Sequence, residues 1–355
     1  MQLYTLSYLP LNIELESTTV LKKLTSSHKA LAELKGMSKS IPNQTILINT
    51  LGLQEAKDSS AVENIITTHD DLYKAELKTN SIESLESKEV QNYIEALKRG
   101  FELINKQKLL TNRMIIEIQA TLEKNNAGLR KVPGTTLKNN STGEVIYTPP
   151  QDYQTIVDLM SNLERYINDN ELSDLDPLIK MAVIHFQFES IHPFYDGNGR
   201  TGRIINVLYL VLQNLLDLPI LYLSKFIISN KSDYYKKIQA VRDNKNFEDW
   251  ILFVLDGVEQ TAMDTIQTIT QIQSLLLKQK HQIRKNYKFY SQDLLNNLFK
   301  HPYTKIEFVE KDLKVSRITA ANYLNTLSDD GILTKKKLGV TNYYINHELF
   351  DILSK

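Results

Sequence analysis

Two apolar helical runs interrupted by one short break constrain this chain more than any other feature of its sequence. The first, Asp176 to about Phe188, leads into His192-Pro193-Phe194-Tyr195-Asp196-Gly197-Asn198-Gly199-Arg200-Thr201-Gly202-Arg203, and the second, Ile204 to Leu210, leads out of it. Pro193 forbids a straight continuation of the first helix, and Gly197 and Gly199 flank Asn198 just before the second. A helix N-terminus with unpaired N–H groups therefore meets a glycine loop, an arrangement that binds anions. Arg200 and Arg203 lie three apart on the opening turn, hence on one face, where guanidinium forks grip phosphate oxygens in pairs. Asp196 supplies the hard oxygen that Mg²⁺ shares with phosphates. His192 stands at the edge of this cradle, and an ordinary imidazole pKa of about 6.5 lets it accept a proton near neutrality. Together these residues read as a phosphoryl or nucleotidyl transferase. A P-loop would place Lys before Ser or Thr, and a dinucleotide-binding glycine pattern would follow a strand rather than a helical run.

Around this string the chain is helical nearly throughout. Its 355 residues at 42% hydrophobic content suffice for a large core and more than one domain. The absence of cysteine excludes disulfides and thiolate metal sites. Lys+Arg 42 against Asp+Glu 42 leaves no net charge, so the whole chain is not an electrostatic nucleic-acid binder. Met1 to Pro10 lacks the basic and apolar regions of a signal peptide, and no later run approaches a membrane span, which points to the cytoplasm and to no membrane partner.

The periodicity predicts a helix from Ser17 to Leu34, a loop at Ser38 to Asn43 containing Pro42, and a short helix from Gln44 to Leu51. Asp58-Ser59-Ser60 then reads as the N-cap of a new helix through Ile66, with Glu63 in its first turns, where an acid satisfies the dipole. Helices follow at about Lys88 to Asn105 and Leu109 to Lys124, then an irregular stretch at Gly128 to Gly134. Thr135 to Tyr147 reads as a hairpin around Asn139-Asn140-Ser141-Thr142-Gly143, closed by Pro149-Pro150. His185 falls on an apolar stretch, as a satisfied core histidine does, and Trp250 is expected to pack the last core helices. Beyond them, Leu275 to Tyr290 carries Lys278, Lys280, Arg284, Lys285 and Lys288 without an acid and reads as a basic connector to a separate unit. There a capped helix, Ser316 to Asp329, turns Ile318, Ala321, Leu324 and Leu327 to one face, and two strands, Gly331-Ile332-Leu333 and Thr341 to Ile345, enclose Lys335 to Gly339. This is a winged-helix pattern. Arg317, Asn322 and Asn325 are its candidate groove readers, a sparse set offset by Glu307, Glu310, Asp329 and Asp330.

The string His-x-Phe-x-Asp-Gly-Asn-Gly-Arg-x-x-Arg resembles in full the signature of the Fic (filamentation induced by cAMP) family, whose members are mostly protein adenylyltransferases. The resemblance implies that His192 deprotonates a hydroxyl of a protein target, on Tyr, Thr or Ser, which attacks the α-phosphorus of ATP, retains AMP and releases pyrophosphate. Asp196 would hold Mg²⁺, Phe194 would anchor the loop, and Gly197, Asn198, Gly199, Arg200 and Arg203 would bind the phosphates. Ser59-x-x-x-Glu63-Asn64 resembles the family's inhibitory motif, in which Glu63 would pair with Arg203 and fill the space of the γ-phosphate. Some relatives use this glutamate to remove AMP, and that role stays open. The hairpin resembles the family's flap, with Glu144, Val145, Ile146 and Tyr147 as its target-binding edge, although Thr135 to Lys138 lacks the Arg that many relatives carry there. Tyr235 would lie near adenine and ribose, with Tyr234 and Arg242 beside it.

The resulting expectation is a mainly α fold: an N-terminal helical inhibitory segment at 1–85, a Fic-type helical core at 86–270 with its β-hairpin flap, a connector at 271–290 and a winged-helix domain at 291–355. An alternative reading makes the core a nucleotide sensor and the chain a DNA-binding regulator. The intact His192 favours catalysis, since a sensor needs no base there. Target identity, self-modification, a homodimer, and DNA or protein as partner of the winged helix are left open.

Overall fold

The computed structural model describes residues 5–41, 43–68, 84–138, 142–338 and 341–354. Pro42, the hairpin-turn residues Asn139, Asn140 and Ser141, and Gly339 of the wing lie outside that set. The fold is mainly α, with two small antiparallel sheets.

Helix α1 (Thr18–Ser38) begins where Ser17 accepts from the Val20 N–H, the capping that a serine ahead of an apolar period provides. It lies along the long helix α10 (Phe247–Asn286), to which Ser27 Oγ donates at the Leu255 carbonyl and Lys23 at Glu259 Oε2. Helix α2 (Thr45–Val62) corrects the reading of two helices. Asp58, Ser59 and Ser60 continue one helix instead of capping a second, and Glu63 is its C-cap, followed by Asn64 at φ 67°. A carboxylate at a helix C-terminus is opposed by the macrodipole, so the dipole does not explain why Glu63 is there.

Helices α3 (Leu85–Gln107) and α4 (Asn112–Glu123) pack on each other, and α5 (Tyr153–Asn168) and α10 pack on α6 (Pro177–Ile191), of which only Pro177 and Glu189 keep appreciable exposure. Between α4 and α5, β1 (Leu137–Lys138) and β2 (Val145–Tyr147) form the hairpin, with a register shift at Leu137/Lys138 and Glu144 just outside the strand. Helix α7 (Asn198–Leu212) packs on α6, and α8 (Ser224–Ser229) and α9 (Lys231–Asn244) close the core against α10. Trp250 fulfils its expected role: it is buried, its indole donates to the Ala182 carbonyl at 2.8 Å, and its ring stacks on His185 at 5.8 Å. Burial pushes the His185 imidazole down to about 3, so it is a neutral core group whose Nε2 meets Tyr234 Oη at 2.9 Å.

One ion pair ties the N-terminal helix to the core. His28 Nε2 lies 2.8 Å from Asp176 Oδ2 while Asp176 Oδ1 caps α6 at Leu178 N. The Asp176 hydrogen bond, opposed by partial burial, raises the His28 pKa. A raised folded-state pKa stabilises below the unfolded value of about 6.5 and loses that effect as pH climbs through the folded value. His28→Gln should therefore cost at most about 1 kcal/mol near pH 5.5, given the pair's partial exposure. Denaturation midpoints of variant and parent should converge by about pH 9.

In the C-terminal part, α11 (Gln292–Lys300), β3 (Tyr303–Lys305), α12 (Ile306–Leu313), α13 (Arg317–Asp329), β4 (Thr334–Leu338), β5 (Thr341–Ile345) and α14 (His347–Leu353) form a helical unit on a sheet of order β3-β5-β4. The residues read as a connector are the end of α10, continuous with the core from Phe247, and the helix stops at Asn286. Lys335, Lys336 and Lys337 lie on strand β4, not in the wing's turn. The buried face of α13 is Ala320, Leu324 and Leu327, whereas Ile318 is 75% exposed. Nor is this unit detached: α11 and α14 pack on α2, and Gln54 donates to the Leu353 carbonyl.

Candidate nucleotide site

The break between α6 and α7 creates the site. His192 caps α6 in the left-handed conformation (φ 49°, ψ 60°), which turns the chain out of the helix and accommodates Pro193 next. Phe194 is fully buried and Asn198 folds back over it: Asn198 Oδ1 accepts from Phe194 N at 2.8 Å and Nδ2 donates to Phe194 O at 2.9 Å. Both ends of the Asn198 side chain thus hold the loop, so a phosphate contact at this residue would fall to its backbone N–H at the start of α7. Gly197 sits at φ 74°, and a Cβ on Gly199 would stand 2.6 Å from Glu63 Oε1, so both glycines are needed for the geometry seen. The opening N–H groups of α7 have no acceptor earlier in the helix and face the cleft.

Arg130, from the irregular stretch, holds this turn from behind. It is fully buried, its Nε donates to the His192 carbonyl at 2.8 Å, and its Nη2 reaches the carbonyls of Ile191 and Pro150. Arg130→Met should cost about 3 kcal/mol by stranding buried carbonyls. A lower denaturant midpoint with an unchanged slope would register that loss.

A cleft of about 1150 Å³ opens above the loop, lined among others by Glu63, His192, Asp196, Arg200, Arg203, Tyr235, Arg242 and, from the flap, Thr136 to Lys138 and Ile146. Burial, reinforced by the charges of Arg130 and Arg242, brings the His192 pKa down to about 4, so the imidazole is neutral at physiological pH. The Asp196 side chain is 76% exposed, with Oδ1 accepting from Gly197 N at 2.7 Å.

Glu63 engages both arginines. Its Oε1 is 3.0 Å from Arg203 Nη2 and its Oε2 is 2.8 Å from Arg200 Nε. Ser59, one turn earlier on α2, completes the grip on Arg203: its Oγ accepts from Nε at 2.7 Å and its carbonyl from Nη2 at 2.9 Å. Arg200 also meets Glu89 at 2.8 Å and Glu123 at 3.0 Å. Burial lowers the Arg200 pKa, but Glu63, Glu123 and Glu89 outweigh it and the net shift is upward. Burial against neighbouring carboxylates pushes Glu123 up to about 7. Asn64 Oδ1 accepts from Lys231 Nζ at 3.1 Å, which pins the chain as it leaves α2.

The remaining candidates divide. Tyr235 is 47% exposed and faces the cleft. Tyr234 also lines the cleft but is buried, packed between His185 and Trp250. Tyr147 points inward as well: its hydroxyl donates to the Ser190 carbonyl at 2.8 Å and its ring lies 3.9 Å from the Arg242 guanidinium. It anchors the flap and is not part of the edge, which leaves Val145 and Ile146 exposed there, with Glu144 beside them. In the C-terminal unit, Asn325 Oδ1 accepts from Lys335 Nζ and Tyr344 Oη, both at 2.8 Å, so its oxygen is committed within the unit. Arg317 and Asn322 are exposed.

Three family models match the chain: Fic/DOC family N-terminal over residues 21–102, Fic/DOC family over 109–210, and the C-terminal domain of SoFic-like protein adenylyltransferases over 275–349. Proteins named protein adenylyltransferase Fic from Drosophila erecta and Drosophila melanogaster are each 30% identical over 103 residues, 29% of this chain and 19% and 20% of theirs. The chain therefore matches only about a fifth of the length of those relatives. A Fic family protein from Desulfovibrio desulfuricans superposes with a TM-score of 0.61 at 16% identity, over 95% of this chain and 97% of its own. A Fic domain containing signaling protein from Bacteroides thetaiotaomicron gives 0.55 at 19%, over 71% and 97%, and Fic-1 from C. elegans gives 0.53 at 16%, over 71% and 73%. At these identities the structures establish a shared fold.

Proposed function

The chain belongs to the Fic/DOC family, and we propose that it is a cytoplasmic protein adenylyltransferase, moving AMP from ATP to a hydroxyl of a protein under restraint by Glu63. The observation that carries this reading is the meeting, in one cleft, of a neutral imidazole and two arginines whose grip is taken by a carboxylate from another helix. A bound ATP would lay its phosphates along the α7 N-terminus, with Arg200 and Arg203 as counter-charges. His192 would take the proton of the incoming hydroxyl, whose oxygen bonds to the α-phosphorus as the bond to the β-phosphate oxygen breaks. Pyrophosphate would leave with its charge held by the arginines, so the protein's work is positioning and electrostatic stabilisation.

The donor set suits Mg²⁺ in one specific way. Among the described residues no group of three His, Cys, Asp or Glu forms a complete metal cage, but Asp196 presents an exposed carboxylate beside the cradle. Mg²⁺ is commonly held by one or two carboxylates together with phosphate oxygens and waters. Asp196 would hold it here, and the ion would supply neutralisation of phosphate charge. Exposed Val145 and Ile146 would receive the target segment by strand addition. The DNA-bound sensor is less well supported, because Asn325 is occupied within its own unit. No helix among the described residues is long and apolar enough to cross a membrane.

The test is label position. With the Glu63→Gly chain, Mg²⁺ and cell lysate, label from α-³²P-ATP should remain on protein while label from γ-³²P-ATP should not. Retained γ-label would replace this reading with phosphoryl transfer. Chasing the labelled product after ATP is withdrawn, with parent and Glu63→Gly chains, reads whether Glu63 also serves removal of AMP.

A further inference from the structure

We propose that Glu189 recognises the ribose of the nucleotide, its carboxyl accepting hydrogen bonds from the ribose hydroxyls. The inference rests on the nucleotide reading above. Glu189 lies in the last turn of α6, three residues before its cap His192, and both line the cleft.

Its carboxyl is under-satisfied. Oε1 is buried and has no hydrogen-bond partner among the described residues, and burial, together with the nearby Glu63 carboxylate, pushes the Glu189 pKa up to about 7 despite Arg203 and Arg242. Buried polar groups without partners are rare because each costs free energy, and at a cleft wall the missing donors are those of a ligand. The carboxyl also has a place made for it. A Cβ on Gly202 would stand 2.7 Å from Glu189 Oε1, so the bare Cα of α7 lets the carboxyl lie flat against that helix.

The chemistry of a nucleotide then selects the partner. Phosphate oxygens are acceptors and carry the same sign as a carboxylate, so they do not supply the donors it lacks. The target hydroxyl gives its proton at His192. The ribose is joined through its 5′-oxygen to the α-phosphate, and its vicinal 2′- and 3′-hydroxyls are the donors of ATP nearest the reacting phosphorus. A carboxyl accepts from a hydroxyl whether or not it is ionised, so the assignment does not depend on its titration.

The experiment compares Mg²⁺-ATP with 2′-deoxy-ATP and 3′-deoxy-ATP by calorimetry, using the full chain carrying Glu63→Gly and His192→Ala, which leaves the inhibitory carboxylate out and stops chemistry. This parent should prefer ATP over at least one deoxy form by roughly tenfold or more, the scale of a lost hydrogen bond to a carboxyl. Adding Glu189→Ala should bring the ratio close to one, and Glu189→Gln, which keeps an acceptor, should retain part of it. Gly202→Ala should reduce the ratio by displacing the carboxyl while leaving Glu189 in place, and so tests the idea independently of whether Glu189→Ala folds. A purely structural glutamate would weaken all three nucleotides alike. An undiminished ratio in Glu189→Ala, or no preference in the parent, overturns the ribose assignment while ATP binding stands. Failure of every variant to bind ATP overturns the nucleotide reading and this inference with it.

Discussion

His192→Ala is expected to lower AMP transfer by roughly 10²–10⁴-fold, the usual contribution of a positioned general base, with ATP affinity changed by less than about threefold. The separation follows from how the turn is built. Arg130 binds the His192 carbonyl and Asn198 binds the Phe194 backbone, so the cradle is held by contacts that the imidazole does not make. The left-handed backbone at residue 192 is no more strained with alanine than with histidine. The pH profile gives a second check. Burial brings the His192 pKa down to about 4, and the deprotonated imidazole is the active form. Turnover limited by this base should therefore be flat from about pH 5.5 to 8 and fall only below that range. An acid limb centred near the free imidazole value of about 6.5 would mean that the base is solvated during turnover, contrary to this site.

What the sequence made legible was local. The helix–break–helix around His192, the caps at Ser17, Asp176 and Ser316, the hairpin and the strand from Thr341 to Ile345 follow from periodicities and turn residues whose meaning is settled within a few positions, while the strand read at Gly331 to Leu333 falls at Thr334–Leu338. The errors arose where a local signal had a non-local cause. Asp58-Ser59-Ser60 has the composition of an N-cap, yet α2 runs through it because Ser59 is buried against Arg203 and Glu55, a turn earlier, is buried against Tyr93 and Ser224. The Asn198 side chain is a clasp on Phe194, a use that its place in a glycine loop does not announce. Tyr147 was read into the flap's edge by adjacency in sequence, but strand alternation turns it into the core. Glu89, Glu123 and Arg130 were missed because their partners lie across the fold. Arg200 is 111 positions from Glu89, and the only sequence hint of Arg130 was its place in a stretch without periodicity.

Glu63→Gly is expected to raise AMP incorporation about ten- to a hundredfold, since a charge-assisted hydrogen bond contributes roughly 1.5–3 kcal/mol and each 1.4 kcal/mol is about tenfold in affinity. The two arginines do not respond alike. Arg200 keeps Glu89 and Glu123 when Glu63 is gone, so its position is preserved. Arg203 keeps the Ser59 hydroxyl and carbonyl as neutral hydrogen-bond acceptors, with the Glu189 carboxyl nearby, but loses the carboxylate that pairs with it directly. A phosphate of ATP takes the place of that carboxylate. The variant should consequently be less stable than the parent without nucleotide and gain more from it, with a melting shift on adding ATP that exceeds the parent's by several degrees. Ser59→Ala provides the graded control: it removes one neutral hydrogen bond from Arg203, leaves Glu63 in place, and should raise incorporation by less than about fivefold. If Glu63→Gly left both incorporation and the ATP-dependent melting shift at the parent's level, competition for Arg203 would not be what restrains this site.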